Sequence, residues 1–207
     1  MIINVKEYWE NIYQTKKSNE VSWCQEKPQT SLKLIVETNL GKKAKIIDVG
    51  AGDSKLVDNL LALGFRNITV LDISSNSLKR AKKRLGSKAD DVKWIVSDLR
   101  KFETDDRYDI WHDRAVLHFL TTKEDINKYV GIVRRFLKPN GYLIVSTFSD
   151  NGPKRCSGLD IKQYSENSMK KLFSDFEHIK SFEEEHLTPW GASQIFIYSM
   201  FRKGGKK

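Results

Sequence analysis

Three acidic residues end short apolar runs at a spacing that suits a nucleoside ligand. Asp48 lies in I-I-D-V, just before the turn G-A-G, where Gly50 and Gly52 allow a ligand to approach the backbone closely. Asp72 ends V-L-D, 20 residues after Gly52, a place where an acid accepts hydrogen bonds from ribose hydroxyls. Asp98, in V-S-D-L, is positioned to accept from an adenine amino group. Together they predict a site for a nucleoside-containing cofactor.

The residue after the glycine turn separates two candidate cofactors, NAD and S-adenosylmethionine. A dinucleotide fingerprint needs a third glycine and a helix N-terminus that is free to receive a pyrophosphate. Here Asp53 follows Gly52, and the two carboxylates of Asp48 and Asp53 would repel phosphates. The same pair suits a ligand that has a sulfonium and an ammonium group and no phosphate. The pattern therefore favours S-adenosylmethionine.

A second group of reactive side chains lies in W-H-D-R-A-V-L-H-F-L. His112 and Asp113 end an apolar run, Arg114 begins a turn, and His118 follows four residues later, on the same face if a helical turn follows. The two histidines lack an i, i+4 partner and no Cys-His cluster accompanies them, so we predict no metal site. These residue types suit proton transfer and the binding of an anion.

The elements that must position these residues alternate along the chain. Short apolar runs predict buried strands at 45–49, 68–71, 92–96, 108–111 and 142–147. Helical patterns lie between them at 55–63, 75–85 and 123–137. The last helix ends in K-P-N-G, a strong turn signal. This alternation predicts an α/β fold with a parallel sheet that is covered on both faces.

The two ends of the chain fall outside this alternation. The N-terminal part is rich in aromatic residues and includes a helical pattern, S-L-K-L-I-V-E-T. After the core come a loop with two glycines and a proline, a short helix and two β-rich runs, which predict a hairpin with an antiparallel strand. We therefore expect one domain, divided into an N-terminal helical cap at 1–40, a cofactor-binding core at 44–148, and a lid loop, helix and β-hairpin at 149–207.

The order of the motifs resembles that of class I S-adenosylmethionine-dependent methyltransferases. D-V-G-A-G-D, L-D-I, S-D-L, Y-D-I-W-H-D-R and L-K-P-N-G-Y-L follow one another over residues 44–148, although Asp53 stands where a third glycine is usual. The resemblance implies a Rossmann-like, seven-stranded, mostly parallel sheet with helices on both faces and an antiparallel C-terminal strand. It also implies methyl transfer from S-adenosyl-L-methionine, with S-adenosyl-L-homocysteine as the product.

The same resemblance implies a set of cofactor-binding residues. The glycine turn would face the amino acid part of the cofactor, Asp72 its ribose, and Asp98 with Leu99 its adenine. Trp23 lies in an N-terminal aromatic segment similar to the cap that closes the cofactor pocket in such enzymes. The full set is Asp48, Gly50, Gly52, Asp72, Ile73, Asp98, Leu99 and Trp23.

On the acceptor side, the resemblance puts the segment after the fourth strand beside the methyl acceptor. It implies that Asp113 lies near the cofactor or acceptor, that Arg114 orients an anionic group, and that His118 is a general base. Two structural alternatives stay open at this stage. Asp113 and Arg114 would form an ion pair in the first, and His118 would be a hydrogen-bonded core histidine in the second.

Composition bears on the partners of the protein. Lys and Arg number 36 against 27 Asp and Glu, a net charge of +9 that raises nucleic acid as a partner. The basic residues concentrate at 79–84 and 202–207, as is typical of a solvated helix face and a frayed end. The family resemblance implies an N-P-P-Y motif in many enzymes that methylate nucleobase nitrogens, and W-H-D-R-A-V stands in its place, so a small-molecule or protein acceptor is favoured over nucleic acid. Because the sequence has no membrane-spanning apolar run, we expect a cytoplasmic protein. We also expect it to be a monomer or a homodimer.

Two other functions stay open from the sequence. One is a non-catalytic module with a methyltransferase-like fold that binds the cofactor or RNA without turnover. The other is a dehydrogenase, which the carboxylate at Asp53 disfavours.

Overall fold

The computed structural model describes residues 4–205, and residues 1–3 and 206–207 of the predicted cap and basic tail lie outside the described residues. The α-helices are α1 (Val5–Thr15), α2 (Gln29–Glu37), α3 (Leu56–Ala62), α4 (Ser75–Leu85), α5 (Lys123–Phe136) and α6 (Glu166–Leu172). The strands are β1 (Ile46–Val49), β2 (Ile68–Asp72), β3 (Val92–Val96), β4 (Tyr108–Arg114), β5 (Leu137–Phe148), β6 (Arg155–Cys156), β7 (Leu159–Asp160), β8 (Phe176–Leu187) and β9 (Ser193–Lys203). Within residues 4–205, no helix combines the length and apolar character needed to cross a membrane.

Seven strands form one sheet in the order β3-β2-β1-β4-β5-β9-β8. The first five of these are parallel to one another, and β9 runs antiparallel between β5 and β8. The carboxyl ends of β1, β2, β3 and β4 therefore meet at one edge of the sheet. This architecture confirms the predicted Rossmann-like, mostly parallel sheet with an antiparallel C-terminal strand.

Apolar side chains pack on both faces of the sheet because successive residues of a strand point to opposite sides. In β1, Ile46 packs with apolar residues of α2, α3 and α4, whereas Ile47 packs with those of α5 and α6. Both side chains are fully buried. The continuous apolar runs of the sequence thus correspond to strands that are covered on both sides.

Two central strands differ from their predicted bounds. β4 continues to Arg114, three residues beyond its predicted end, so Arg114 belongs to the strand and not to the turn. The K-P-N-G segment lies inside β5, where Leu137 and Tyr142 pair with β4 and the four residues between them bulge out of the ladder. Asn140 in this bulge has a φ of 63°. The turn signal therefore produces a bulge within a strand.

The segment after β5 is more ordered than its glycines and proline suggest. Strands β6 and β7 pair as a small hairpin, with Arg155 opposite Asp160 and Cys156 opposite Leu159. Cys156 is buried, so this part of the predicted lid loop is a packed element. The connection between β8 and β9 spans the five residues 188–192.

Candidate active site

The turn after β1 brings backbone and side chains too close together for any residue except glycine. Gly50 and Gly52 have φ angles of 61° and 59°, in the left-handed region. A Cβ on Gly50 would lie 1.9 Å from Cγ2 of Val116, and one on Gly52 would lie 2.1 Å from the hydroxyl oxygen of Tyr13. Conformation and space therefore both require glycine at these positions.

A cavity lies beyond the carboxyl ends of β2 and β3 and is here called the β2–β3 cavity. It has about 780 Å³ of empty space, part of it open to solvent. The aromatic rings of Trp9 and Tyr13, both from α1, contribute to its wall. Five of the residues that the sequence predicted for cofactor binding also line it, namely Gly50, Asp72, Ile73, Asp98 and Leu99.

Asp72 is held by two backbone N–H groups in the wall of this cavity. Gly52 donates to its Oδ2 at 2.8 Å and Ser74 donates to its Oδ1 at 2.7 Å. Burial raises the pKa of Asp72 to about 6, against the opposing effect of these hydrogen bonds. Each carboxylate oxygen can accept a further hydrogen bond. The side chain is thus fixed in position while it keeps the capacity to accept from a diol.

Asp98 is fixed by an arginine of its own turn. Arg100 donates to both oxygens of Asp98, with Nη2 2.6 Å from Oδ2 and Nε 3.0 Å from Oδ1. Burial alone would raise the pKa of Asp98, but the hydrogen bonds from Arg100 outweigh that effect and lower it. The Arg100 guanidinium also reaches Asp125 of α5 at 3.3 Å. Asp98 therefore stays ionised at the cavity wall.

A second cavity, here called the β1–β4 cavity, lies beside the ends of β1 and β4. It has about 910 Å³ of empty space, again partly open to solvent. Its polar lining includes Trp23, Cys24, Gln25, Ser31, Asp48, Asp53, Lys55, His112, Arg114, Cys156 and Gln194. Tyr13, Gly50, Ala115 and Phe119 line both cavities. The two cavities therefore adjoin at the glycine turn.

His112 lines the β1–β4 cavity and was not among the predicted site residues. Its Nδ1 lies 2.7 Å from Oδ1 of Asp48, and its Nε2 lies 2.9 Å from Oγ of Ser31 in α2. All three side chains are buried. The sequence carried a signal for His112, because it lies two residues before Arg114 and therefore shares its face of β4. Ser31 gave no such signal, since only packing brings α2 to this edge.

Asp113 points to the opposite face of the sheet from His112 and Arg114. Its carboxylate accepts the backbone N–H groups of Val116 at 2.9 Å and Leu117 at 3.2 Å, and it is fully buried. Burial raises its pKa to about 6. Asp113 lines neither cavity. The predicted place beside cofactor or acceptor is therefore corrected: strand alternation turns this side chain into the core, where it fixes the turn after β4.

His118 is likewise a core residue. Its ring is fully buried, packs against Phe119 and Phe148, and accepts the Phe148 backbone N–H on Nδ1 at 3.3 Å. Burial lowers its pKa to about 3, with a smaller contribution from Arg114, so the ring is neutral near neutral pH. This placement corrects the predicted general base, since neither ring nitrogen is exposed at a cavity.

Arg114 projects into the β1–β4 cavity. Its Nη1 donates to the Trp23 backbone carbonyl at 3.0 Å, and its Nε donates to the hydroxyl of Tyr198 at 3.3 Å. The guanidinium lies 5.1 Å from the ring centre of Phe196. Nη2 is buried and has no hydrogen-bond partner among the described residues. The predicted ion pair with Asp113 does not form, because the two side chains lie on opposite faces of β4.

Asp53, the residue that replaces a usual glycine, has its own partners. Ser18 donates to its Oδ2 at 2.6 Å, and Nη1 of Arg80 lies 3.4 Å from the same oxygen. Arg84 donates to the backbone carbonyls of Asp53 and Ser54, each at 2.8 Å. The basic face of α4, which the sequence suggested was merely solvated, therefore holds the glycine turn in place.

Helix α1 covers both cavities and is attached to α4 by one acidic side chain. The Glu10 carboxylate accepts from the backbone N–H groups of Ser75 at 2.8 Å and Asn76 at 3.0 Å, and from the Ser74 hydroxyl at 2.8 Å. Burial alone would raise the pKa of Glu10, but these hydrogen bonds hold it at about 2. An acid at a helix N-terminus is also favoured by the helix dipole. The cap is thus fixed by a charge-assisted contact.

The aromatic residues of the cap form a cluster over the glycine turn. The ring of Trp9 lies 5.7 Å from that of Trp23 and 5.2 Å from that of Phe119, both edge to face. Trp23 lines the β1–β4 cavity. Among residues 4–205, no group of three or more His, Cys, Asp and Glu side chains is arranged to hold a metal ion.

Comparison with known proteins gives the relatives of the chain. A family model described as a methyltransferase domain matches residues 40–205. A malonyl-[acyl-carrier protein] O-methyltransferase of Ilyobacter polytropus is 28% identical over 138 residues, 66% of this chain and 48% of that protein. A mouse eEF1A lysine and N-terminal methyltransferase is 26% identical over 68% of this chain and 21% of its own length. The chain thus spans half or less of these two relatives.

Solved structures share the fold. N-methyltransferase NodS from Bradyrhizobium japonicum, in complex with S-adenosyl-L-homocysteine, superposes with a TM-score of 0.74 at 15% identity and covers 97% of this chain and 99% of its own. A S-adenosylmethionine-dependent methyltransferase from Anabaena variabilis gives a TM-score of 0.73 at 15% identity, with 97% of this chain and 96% of its own covered. Since the family model matches most of the chain, the protein belongs to the methyltransferase domain family.

Proposed function

We propose that the protein transfers a methyl group from S-adenosyl-L-methionine to a small-molecule or protein side-chain nucleophile. The observation that carries this proposal is the pair of cavities that adjoin at Gly50. One has carboxylates suited to a ribose and an adenine, and the other has room for an acceptor beside the same turn. The site would leave S-adenosyl-L-homocysteine as the second product.

The residues at the two cavities fit this cofactor. Asp72 keeps free lone pairs for ribose hydroxyls, and Asp98 with Leu99 lies where adenine would be read. Asp48, at the glycine turn, suits the ammonium group of the cofactor, and Trp23 offers a ring to its sulfonium. The carboxylates that favour a cation would repel the pyrophosphate of a dinucleotide. The charge pattern therefore supports S-adenosylmethionine over NAD.

The tasks of the chain itself are alignment and exclusion of water. Bound S-adenosylmethionine would supply a methyl group that is already activated on a positively charged sulfur. The aromatic cluster of Trp9, Trp23 and Phe119 would keep water from the reacting groups, and Arg114 would orient the acceptor. The interior positions of Asp113 and His118 assign them to the framework that supports this arrangement.

The test is to measure binding and turnover separately on the full chain. Calorimetric titration with S-adenosyl-L-homocysteine and with NADH identifies the cofactor. Methyl-labelled S-adenosylmethionine is then incubated with small-molecule, protein and nucleic-acid fractions of a cell extract. Label in the small-molecule or protein fraction supports the proposal. Binding without label in any fraction would favour the non-catalytic module, and binding of NADH alone would favour a dehydrogenase.

A further inference from the structure

Among the described residues, each charged side chain that lines the β1–β4 cavity has a basic or acidic side chain as its partner, with one exception. Asp48 is hydrogen-bonded to His112, and Asp53 is paired with Arg80. Lys55 is paired with Glu26 outside the cavity. No carboxylate of the described residues lies within ion-pair distance of Arg114, and its Nη2 is a buried donor without a partner. A partly buried cation of this kind calls for an anion from outside the chain.

The position of Arg114 limits how such an anion would be bound. Its Nε and Nη1 already donate to Tyr198 and Trp23, which fix the plane of the guanidinium. Only Nη2 lacks any partner in the described part of the chain. Because Nη1 carries a second N–H group, an incoming anion would be held at the end of the guanidinium formed by Nη1 and Nη2.

Among the described residues, the histidines and the buried thiol at or near this cavity are not available as general bases. Both ring nitrogens of His112 are engaged, by Asp48 and by Ser31. Burial raises the pKa of the Cys156 thiol to about 11, so this group stays protonated near neutral pH. The neutral ring of His118 lies in the core. An acceptor that arrives already deprotonated needs none of these groups.

We propose that the acceptor is a small organic carboxylate and that the product is its methyl ester. This inference rests on the proposed function. One carboxylate oxygen would be held by Nη2 of Arg114, and the second oxygen would attack the methyl carbon. A new C–O bond forms as the C–S bond breaks, its electron pair goes to sulfur, and the sulfonium becomes the neutral thioether of S-adenosyl-L-homocysteine. No proton is transferred.

Charge in the cavity favours a carboxylate over a phosphate. A phosphate monoester carries close to two negative charges near neutral pH, and these would lie in a cavity that already contains Asp48 and Asp53. A carboxylate brings a single charge, which matches the single unpaired cation. It also has a second oxygen that stays free as the nucleophile when the first is held.

The first experiment identifies the chemical nature of the product. The full chain is incubated with methyl-tritiated S-adenosylmethionine and either a small-molecule fraction of a cell extract or a panel of aliphatic and aromatic mono- and dicarboxylic acids. Alkali hydrolyses a methyl ester to volatile methanol, whereas N-methyl, S-methyl and ether products survive.

The possible results distinguish a failure of the methyl ester proposal from a failure of the proposed methyl transfer. Volatile label after alkali is the expected result and supports the carboxylate. Label that survives alkali overturns the ester but leaves a functional methyltransferase. If no label is transferred while S-adenosyl-L-homocysteine still binds, the proposed function fails and this inference fails with it.

The second experiment tests Arg114 with a matched control. Arg114→Gln removes the cation, and we expect the KM for the acid to rise about 10- to 100-fold, as for the loss of a hydrogen bond to a charged group. Affinity for S-adenosyl-L-homocysteine should not change. The same substitution at the exposed Arg135, which pairs with Glu103, should change neither quantity. Weaker cofactor binding with an unchanged KM would instead assign Arg114 to the carboxylate of the cofactor and overturn the inference.

Two further readouts keep the test decisive if Arg114→Gln fails to fold. Arg114→Lys retains the charge and should keep part of the activity towards the acid. With the unaltered chain, the rate should not depend on pH above about 5, where a carboxylic acid is already ionised. A rate that instead rises between about pH 6 and 9 would indicate a titrating base or acceptor and contradict the carboxylate.

Discussion

The two adjoining cavities differ in how the chain assembles them. In the β2–β3 cavity, Asp72 and Ile73 lie at the end of β2, and Asp98 and Leu99 lie two and three residues after β3, so local sequence puts them at the edge of the sheet. The β1–β4 cavity takes side chains from the cap, from α2, from β4 and from the C-terminal hairpin. The cofactor side is therefore built from local motifs and the acceptor side from tertiary packing.

The cavities also differ in electrostatics. On the cofactor side, Asp72 and Asp98 are fixed by hydrogen bonds from their own turns and from the glycine turn. On the acceptor side, Arg114 is fixed by a backbone carbonyl and a hydroxyl, and neither of these groups neutralises its charge. Among the described residues, Arg114 therefore has no carboxylate partner, and the proposed acceptor would balance its charge.

The largest effect is expected where the two cavities meet. Gly50→Ala would drive a Cβ to 1.9 Å from Val116 at a φ of 61°, and we expect a loss of about 2–4 kcal/mol in the free energy of unfolding. Cofactor binding and methyl transfer should fail together, because Gly50 lines both cavities. Urea denaturation and calorimetric titration measure the two consequences.

Two controls separate the collision from the backbone strain at Gly50. Gly41→Ala has the same conformational penalty, with a φ of 72°, but no atom lies within 4 Å of its new Cβ. We expect it to cost only about 1 kcal/mol. The double variant Gly50→Ala/Val116→Ala should recover part of the loss. If Gly50→Ala costs no more than Gly41→Ala, the contact with Val116 is not important.

A second prediction tests whether His118 belongs to the framework. His118→Ala should lower the free energy of unfolding by about 2–4 kcal/mol, because it removes a fully buried ring and leaves the Phe148 N–H without a partner. The pH dependence of methyl transfer should keep its shape. Disappearance of a titrating limb in the variant would restore the role of His118 as a base.

A smaller, selective effect is expected on the cofactor side. Asp72→Asn keeps the shape of the side chain but replaces one acceptor oxygen with an NH2 group. That NH2 group would face the backbone N–H of Gly52 or Ser74, so two donors would oppose each other. We expect binding of S-adenosyl-L-homocysteine to weaken by about 1–3 kcal/mol. The KM for an acceptor should change little, since Asp72 does not line the β1–β4 cavity.

The raised pKa of Asp72 gives this prediction a pH signature. The folded carboxyl titrates at about 6, above its ordinary value of 3.8, so the stability of the fold falls as the pH rises from 3.8 to about 6, and the full cost is present above that range. Ribose hydroxyls favour the ionised form, and affinity for S-adenosyl-L-homocysteine should therefore rise as the pH increases through about 6. In Asp72→Asn this rise should be absent, and its persistence would assign the titration to another group.

The smallest effect is expected for the contact that attaches the cap over both cavities. Glu10→Gln should cost about 1 kcal/mol, the usual value for a helix cap. Because the folded pKa of Glu10 is about 2 and its ordinary value is 4.5, the charge stabilises the fold above pH 4.5. That stabilisation is lost as the pH falls towards 2. Denaturation at a series of pH values should show the difference from the unaltered chain shrink in this range.

A matched control for Glu10 is available on the edge strand. Glu177 of β8 is an exposed acid, so Glu177→Gln removes the same charge without removing a helix cap. We expect no change in stability at any of these pH values. An equal effect of both substitutions would mean that net charge, and not the contact with α4, is responsible.

Particular residues show how far the sequence could be read. The strand, turn and acid pattern predicted the order of the core elements and the positions of Asp72 and Asp98 at the edge of the sheet. The pattern failed for Asp113 because the predicted strand ended three residues early. The alternation of side chains between the two faces of the sheet was therefore not extended to Asp113. The pattern failed for His118 because a histidine near a strand end has the same local sequence whether it faces a cavity or the core.

By itself, the sequence determined the alternating strands and helices, the two glycines of the turn and the acids that follow the strands. Those features depend on side-chain periodicity and on backbone conformations that only glycine adopts easily, and both act over a few residues. The tertiary structure decided which face each residue of β4 presents, which charges have partners, and that no carboxylate of the described residues pairs with Arg114. These contacts depend on groups that are distant in the chain, such as the hydroxyl of Ser18 with Asp53 and the backbone carbonyl of Trp23 with Arg114.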